Sequence, residues 1–431
     1  MRPVVRRLDL EAQRQMTAPT TVATAATANY GDTLTRSQRL TYVLMLGALV
    51  ALGPFTIDLY LPAFPSVAAD LATTDAAIQL TLTATTIGFG LGQLIVGPLS
   101  DAMGRRRPLL IATSVHIVAS IGVAMAPTVE WVMAGRILQG MGAAGGAVVA
   151  MAVVRDLFGG QRLIRMLSRL ALVMGFAPVF APVIGSQLLR FVEWRGVFVF
   201  LAAYGLVVTV LGVFILVETL PPERRGRFSS TAVARRYRRL VKDPAFVGIA
   251  VVGAATFTTL FAYLSASSFI LQEIYGLSAQ QFGFIFGINS IGLVAGTQIS
   301  ARLMRRVAPR VVTAGGLAIM ALGALALLIS SLLNTGLLGV VIPLFFVIAP
   351  AGLVMPTVQV MALADHATEA GTAASLIGAA NMGVAGAVSP LVGVGGNTPT
   401  AMAIVMLGAL VVGQASLWLV VWRRTTSAVM A

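Results

Sequence analysis

Three ionisable side chains stand where charge is most costly. Asp58, His116 and Arg136 each lie within a long apolar run. Deep in a bilayer such a group costs at least about 2.5–3.5 kcal/mol, so each is a functional candidate by default. Asp58 lies seven residues before Pro65, read as the outer end of its helix. At 1.5 Å per residue that is about 10 Å below the surface. Arg136 follows Trp131, an interfacial aromatic, by five residues, or about 8 Å. The two helices run in opposite directions, so the depths match and the side chains can pair. A carboxylate alternately paired with arginine and protonated is a proton switch; a permanent pair would only fix helix packing. Asp58 is the sole acid in any apolar run, which favours the switch, and Thr258 stands at its offset of 200. Gln139, one turn from Arg136, can steady the guanidinium. His116 could relay protons, but a neutral histidine hydrogen-bonded within helix packing is the expected arrangement.

Other chemistry is excluded by what is missing. The chain has no cysteine, so disulfides, zinc–cysteine sites, iron–sulfur clusters and thiol catalysis are out. Its two histidines, His116 and His366, are too far apart in sequence for a paired-histidine metal motif. The single lysine, Lys242, has no phosphate-binding glycine loop before it, and no Gly-x-Ser-x-Gly elbow is present. No cofactor or metal is called for, and an enzyme is not expected.

The elements that position these residues follow from composition. With 57% hydrophobic and 11% charged residues, the chain departs far from a soluble domain, which carries about 45–50% and about 25%. Runs of about 20 apolar residues read as membrane-spanning helices. They fall at 40–63, 78–99, 109–126, 131–153, 166–189 and 196–217, then at 246–268, 280–300, 311–333, 337–361, 371–392 and 401–422. With the N-terminus inside, every lysine and arginine except Arg136, Arg190 and Arg195 falls on a cytoplasmic segment, as the positive-inside rule requires. Both termini are therefore expected in the cytoplasm. The net charge of +14 then orients a membrane protein, and no nucleic-acid partner is expected. The expected organisation is a disordered cytoplasmic tail (1–38), an N-terminal six-helix bundle (39–217), a basic linker (218–243), a C-terminal six-helix bundle (244–422) and a short tail (423–431). Ser100, Arg105 and Arg106 recur as Ser300, Arg305 and Arg306, a faint internal repeat of the kind found in secondary transporters.

Between the second and third spans, Gly97, Asp101, Gly104, Arg105 and Arg106 form a tight turn: Gly104 permits it and the arginines hold it at the cytoplasmic surface. Asp101 is placed to meet an arginine or a neighbouring helix N-terminus. This segment resembles the loop signature of the major facilitator superfamily, and the resemblance implies a latch on one alternating-access state. Arg136, Gln139 and Gly140 resemble the family's fourth-helix motif, whose arginine is associated with proton transfer. Pro178, Pro182 and Gly185 resemble its antiporter motif in the fifth helix, with Ser186 and Ala181 departing from the fuller form. Ile57–Pro65, Trp194-Arg195 and Phe269–Ser278 are similar to the bicyclomycin/chloramphenicol type of drug:proton antiporter. Together the likeness covers residues 39–422.

The implied fold is all-α, with twelve spans in two pseudo-symmetric bundles. The implied activity is proton-coupled export of lipophilic antibiotics or related small molecules across the cytoplasmic membrane. The alternative is a proton-coupled transporter of a native metabolite, such as a sugar or amino acid. Candidate substrate contacts are Phe55, Tyr60, Met141, Phe257, Phe261, Asn289 and Asn381, aromatic, Met or amide groups in apolar spans. The expected partners are small-molecule substrate, protons and lipid, with the chain a monomer.

Overall fold

The computed structural model describes residues 35–225, 230–364, 370–388, 390–394 and 396–422. Almost all of the N-terminal tail, the C-terminal tail, linker residues 226–229 and His366 lie outside the described residues. Twelve helices are long and apolar enough to cross a membrane. In chain order they are α1 (Arg36–Asp58), α2 (Asp75–Met103), α3 (Arg106–Ala124), α4 (Val129–Leu157), α5 (Gly160–Leu188) and α6 (Trp194–Ile215). The second set is α7 (Pro244–Phe269), α8 (Ala279–Leu303), α9 (Pro309–Leu332), α10 (Leu338–Ala364), α11 (Ala370–Val388) and α12 (Pro399–Ser416).

Several helices begin before the apolar run because a polar cap extends them. Thr35 and Ser278 form capping boxes with Gln38 and Gln281, and Thr74, Thr128 and Thr398 cap α2, α4 and α12. The first span differs most from expectation. Its α-helix ends at Asp58, passes through a 3-10 turn at Leu61–Ala63 and resumes as Phe64–Asp70. Pro62 and Pro65 lack the N–H that an unbroken helix needs, yet both are tolerated in the first turns of new segments. The helical run therefore continues past Pro65 to Asp70, so Pro65 is not the end of the first span.

The packing shows the internal symmetry more clearly than the sequence does. Within the first set, α4 packs on α2, α3 and α1, α3 on α6, and α1 on α5 and α6. Each of these pairs recurs six helices later: α10 with α8, α9 and α7, α9 with α12, and α7 with α11 and α12. The two bundles meet through α2 with α11 and α5 with α8, a pair that the same symmetry exchanges. Close helix crossings rely on glycine. A Cβ at Gly140 would strike the backbone of Thr85 in α2, and one at Gly352 would strike that of Leu293 in α8. Hydrogen bonds join the bundles at the end that carries Asp70: Gln272 to the carbonyl of Pro62 (3.1 Å), Gln280 to that of Ser186 (2.9 Å) and Thr83 to that of Gly386 (2.6 Å).

Candidate functional site

Arg136 is the largest fully buried side chain among the described residues. Its Nη1 donates to the carbonyl of Thr56 and to Gln139 Oε1, both at 2.7 Å. Gln139 in turn donates to Ser120 Oγ at 2.7 Å, and Ser120 to the His116 carbonyl at 2.7 Å. The guanidinium carbon lies 5.0 Å from the centre of the Tyr60 ring and 5.6 Å from that of Phe198, within reach of cation–π attraction. Nε and Nη2 have no hydrogen-bond partner. Two of the arginine's five N–H donors are thus committed and three are open.

Asp58 is buried at the last turn of α1, two residues from the carbonyl that Arg136 holds. No hydrogen bond or ion pair reaches its carboxylate among the described residues. The expected direct pair with Arg136 is not formed in this conformation, because Thr56, Gln139 and the two rings hold the guanidinium instead. What the structure does place beside the acid is one residue of the fifth-helix motif, Gly185. Gly185 of α5 packs against the backbone of Leu59, where any Cβ would collide with the carbonyl. Pro178 and Ser186 lie where α5 meets α8: Ser290 donates to the Pro178 carbonyl at 3.5 Å. Ser186, which departs from the family pattern, is accommodated by Gly283 opposite, where a Cβ would sit 2.5 Å from its hydroxyl.

His116 belongs to the same network. Thr56 Oγ1 gives its only proton to the Leu52 carbonyl at 2.6 Å. Its 2.9 Å contact with His116 Nε2 therefore requires the imidazole to donate. Nδ1 faces Gly205 without a partner, so the ring serves helix packing, the arrangement expected for it.

A second cluster forms the clasp between α2 and α3. Arg105, nearly buried, pairs with Asp101 at 2.5 Å and Asp156 at 2.7 Å, and donates to Ser100 Oγ at 2.9 Å. Gly104 has φ of +92° and leaves the space its side chain would fill to the Glu218 carboxylate. That carboxylate accepts the backbone N–H of Arg105 (2.8 Å), Leu220 (3.0 Å) and Arg106 (3.3 Å). Partial burial would raise the Glu218 pKa, but these backbone donors and the charge of Arg225 outweigh it and hold the carboxyl below the usual glutamate range. Arg106 reaches the Val213 carbonyl at 2.6 Å, and Thr219 donates to Asp156 at 3.0 Å. Asp156 and Glu218 escaped the sequence reading. The signal was their position, one at the last turn of α4 and one just past α6, beside basic loops in a chain with 16 acids. Gly97 sits behind the clasp, where a Cβ would meet Val148 at 3.6 Å.

The candidate substrate residues scatter. Tyr60 is fully buried under Arg136 and beside Phe64 and Phe198, so it builds the arginine's box. Phe55 packs on Tyr204 at 5.3 Å between ring centres. Met141 and Phe257 are half-buried, and Phe261 is buried. Asn289 donates to the Tyr263 hydroxyl at 2.9 Å, and its Oδ1 has no partner. Asn381 is buried against Gly253, also with an unpartnered Oδ1. A groove of about 510 Å³ between α7, α11 and α12 is lined by Thr258, Val384, Gly408 and Val412 among others, and by none of these candidates.

The same chain matches known proteins along its length. The model of the Major Facilitator Superfamily matches residues 44–390. The chain is 35% identical to the MFS-type transporter YdgK of Bacillus subtilis (strain 168), covering 88% of this chain and 95% of that one. It is 31% identical to a bicyclomycin resistance protein homolog of Haemophilus influenzae, covering 86% and 93%. Among solved structures, a D-xylose-proton symporter shares the fold at a TM-score of 0.69 with 16% identity, over 87% of this chain and 97% of that one. Twelve spans packed as two symmetry-related sets, with this family match across both, make the chain a multi-pass membrane transporter of the major facilitator superfamily.

Proposed function

We propose that the protein is a proton-coupled antiporter that exports lipophilic antibiotics or related small molecules, of phenicol or bicyclomycin type, across the cytoplasmic membrane. The observation that carries the coupling is one buried acid, unbonded, close in the fold to an arginine with open donors. Among the described residues no hydrogen bond or ion pair reaches Asp58, and Arg136 keeps two donor nitrogens open nearby. An unbonded carboxyl is what protonation leaves behind; a deprotonated Asp58 would be drawn to those open donors. The cycle follows. Asp58 takes a proton from outside, its hold on Arg136 relaxes, and the Asp70 end closes. Release of the proton to the cytoplasm then accompanies substrate capture.

The relative named as a bicyclomycin resistance protein homolog supports the substrate class. In this reading the Arg105 clasp and both termini face the cytoplasm, residues 39–217 and 244–422 move as the two bundles, and a single chain suffices. One proton exchanged for one neutral substrate moves one net charge. At 100 mV that contributes about 2.3 kcal/mol, roughly fifty-fold accumulation.

Expression in an efflux-deficient bacterium tests the substrate class, with resistance measured across phenicols, bicyclic antibiotics and lipophilic cations. Raised resistance to the neutral compounds is expected. In vesicles, adding such a substrate should drive protons in the opposite direction. Co-directional flux, or resistance unchanged across the whole panel, would favour instead proton-coupled transport of a native metabolite such as a sugar or amino acid. Orientation is tested separately, since the chain lacks cysteine: a cysteine placed at Arg107 should resist an impermeant maleimide in whole cells, and one at Glu193 should react.

A further inference from the structure

At the Asp70 end, one polar constellation ties three elements of the two bundles together. Gln79 of α2 is fully buried. Its Nε2 donates to Asn397 Oδ1 at 2.5 Å and to the Ser265 carbonyl of α7 at 3.3 Å. Asn397, nearly buried just before α12, donates from Nδ2 to Asp75 Oδ2 at 2.8 Å. The chain from Asp75 through Asn397 to Gln79 therefore crosses from the first bundle to the second and back. The helices do not need it for their own ends, because Thr74 caps α2 and Thr398 caps α12. Asn397 also holds φ of +51°, a left-handed backbone that asparagine tolerates better than most residues. That conformation accompanies the reach of its amide across the interface. Gly393 completes the fit: a Cβ there would stand 2.6 Å from Gln79 Oε1 and 3.1 Å from Ala76.

We propose that Asp75, Gln79 and Asn397 form an outer latch, positioning residues that set the resting balance between the two access states of the transporter. Transport requires the two bundles to separate at this end. Separation breaks all three bonds, one of them to a carboxylate, and leaves both amides to water. The latch acts only in the closed state and so biases the equilibrium toward it. It is independent of the proton switch, since none of the three touches Arg136 or Asp58.

The absence of cysteine permits spin labels at chosen sites. Glu193→Cys with Thr335→Cys reports the Asp70 end, and Arg107→Cys with Arg305→Cys reports the opposite end; all four residues are exposed. Wild type should give a short distance at the first pair. Asn397→Asp keeps an acceptor for Gln79 but turns a donor toward Asp75 into a like charge. It should enlarge the open fraction about 10–100-fold, the equivalent of losing one charge-assisted bond, with the opposite end closing in step. Adding Asp75→Asn restores a donor–acceptor pair with its polarity reversed and should return the distances to wild type. Gln79→Ala, built independently, should open the same end. Unchanged distances in Asn397→Asp and Gln79→Ala, or a double exchange that fails to recover closure, would overturn the latch.

Discussion

The two bundles share one packing plan and differ in what they bury. In the first, Arg136 of α4 anchors a buried network with Thr56, Gln139, Ser120 and His116, and Asp58 of α1 is buried beside it without a bond to it. In the second, the symmetry-related α7 and α10 carry no charged residue at all. Thr258 stands for Asp58, and the buried polar groups are neutral: Asn289 with Tyr263, and Asn381. The same asymmetry recurs at the loops. Arg105 is clasped by Asp101 and Asp156, whereas the echoing position to Asp101 is Ala301 and Ser300 simply donates to the Leu353 carbonyl at 2.9 Å. On the proposed reading a duplicated scaffold has specialised, with proton chemistry on one side and substrate recognition on the other. Duplication fixes helix crossings, which depend on small residues such as Gly140 and Gly352. It leaves the buried polar groups free to diverge.

That division can be broken experimentally. Arg136→Lys should have the largest effect, lowering proton-driven transport by roughly 100-fold or more. A lysine lacks the planar fork and forfeits at least two charged hydrogen bonds of about 1.5–3 kcal/mol each. Initial rates of substrate uptake into inverted vesicles measure it, and near-normal rates would remove Arg136 from the mechanism. Relocating the acid sharpens the comparison next. In a chain carrying Asp58→Asn, adding Thr258→Asp should not recover coupling, because α7 and α10 offer no cation. Recovery of substrate-dependent proton flux would mean that the bundles are interchangeable.

The clasp comes third. Asp156→Asn removes one of two carboxylates from Arg105 and should slow transport about tenfold, the scale of one charged hydrogen bond. Glu218 adds a pH signature. Its folded-state pKa is depressed, so its contribution to stability is present above the unfolded glutamate value of about 4.3 and is lost as pH falls through the folded value. The melting temperature of wild type should therefore fall more than that of Glu218→Gln on acidification below about pH 4.3. Identical acid profiles would show that the carboxylate does not stabilise the turn. The smallest effect belongs to His116→Gln, since the amide can donate to Thr56 as Nε2 does. Transport within about threefold of wild type is expected, the scale of one neutral hydrogen bond, with an unshifted pH profile. A displaced profile would make the histidine a proton carrier.

The twelve spans were legible because a bilayer imposes its length on each helix locally, whatever the helix packs against. Asp58 and Arg136 were legible for the same reason, as charges inside apolar runs. Their relation was not. Whether they touch depends on Thr56 and Gln139, which hold the guanidinium. Pro65 read as the outer end of the first helix, so neither the 3-10 turn at Leu61–Ala63 nor the helical resumption to Asp70 was anticipated. Tyr60 read as a pocket residue because an aromatic in a span carries no sign of whether it faces a substrate or an arginine. Glu218 and Asp156 meet Arg105 from far along the chain. The latch between Gln79 and Asn397 joins residues 318 positions apart, beyond the reach of spacing or periodicity.

The most direct test of the account is Asp58→Asn in proteoliposomes, with two transport modes measured on one preparation. An imposed pH gradient drives net movement only if protons are exchanged. Counterflow of labelled against unlabelled substrate needs only the alternation of an intact site. The account predicts that gradient-driven transport is lost while counterflow persists. Full gradient-driven export by Asp58→Asn would contradict it, and the proton switch would have to be sought away from α1.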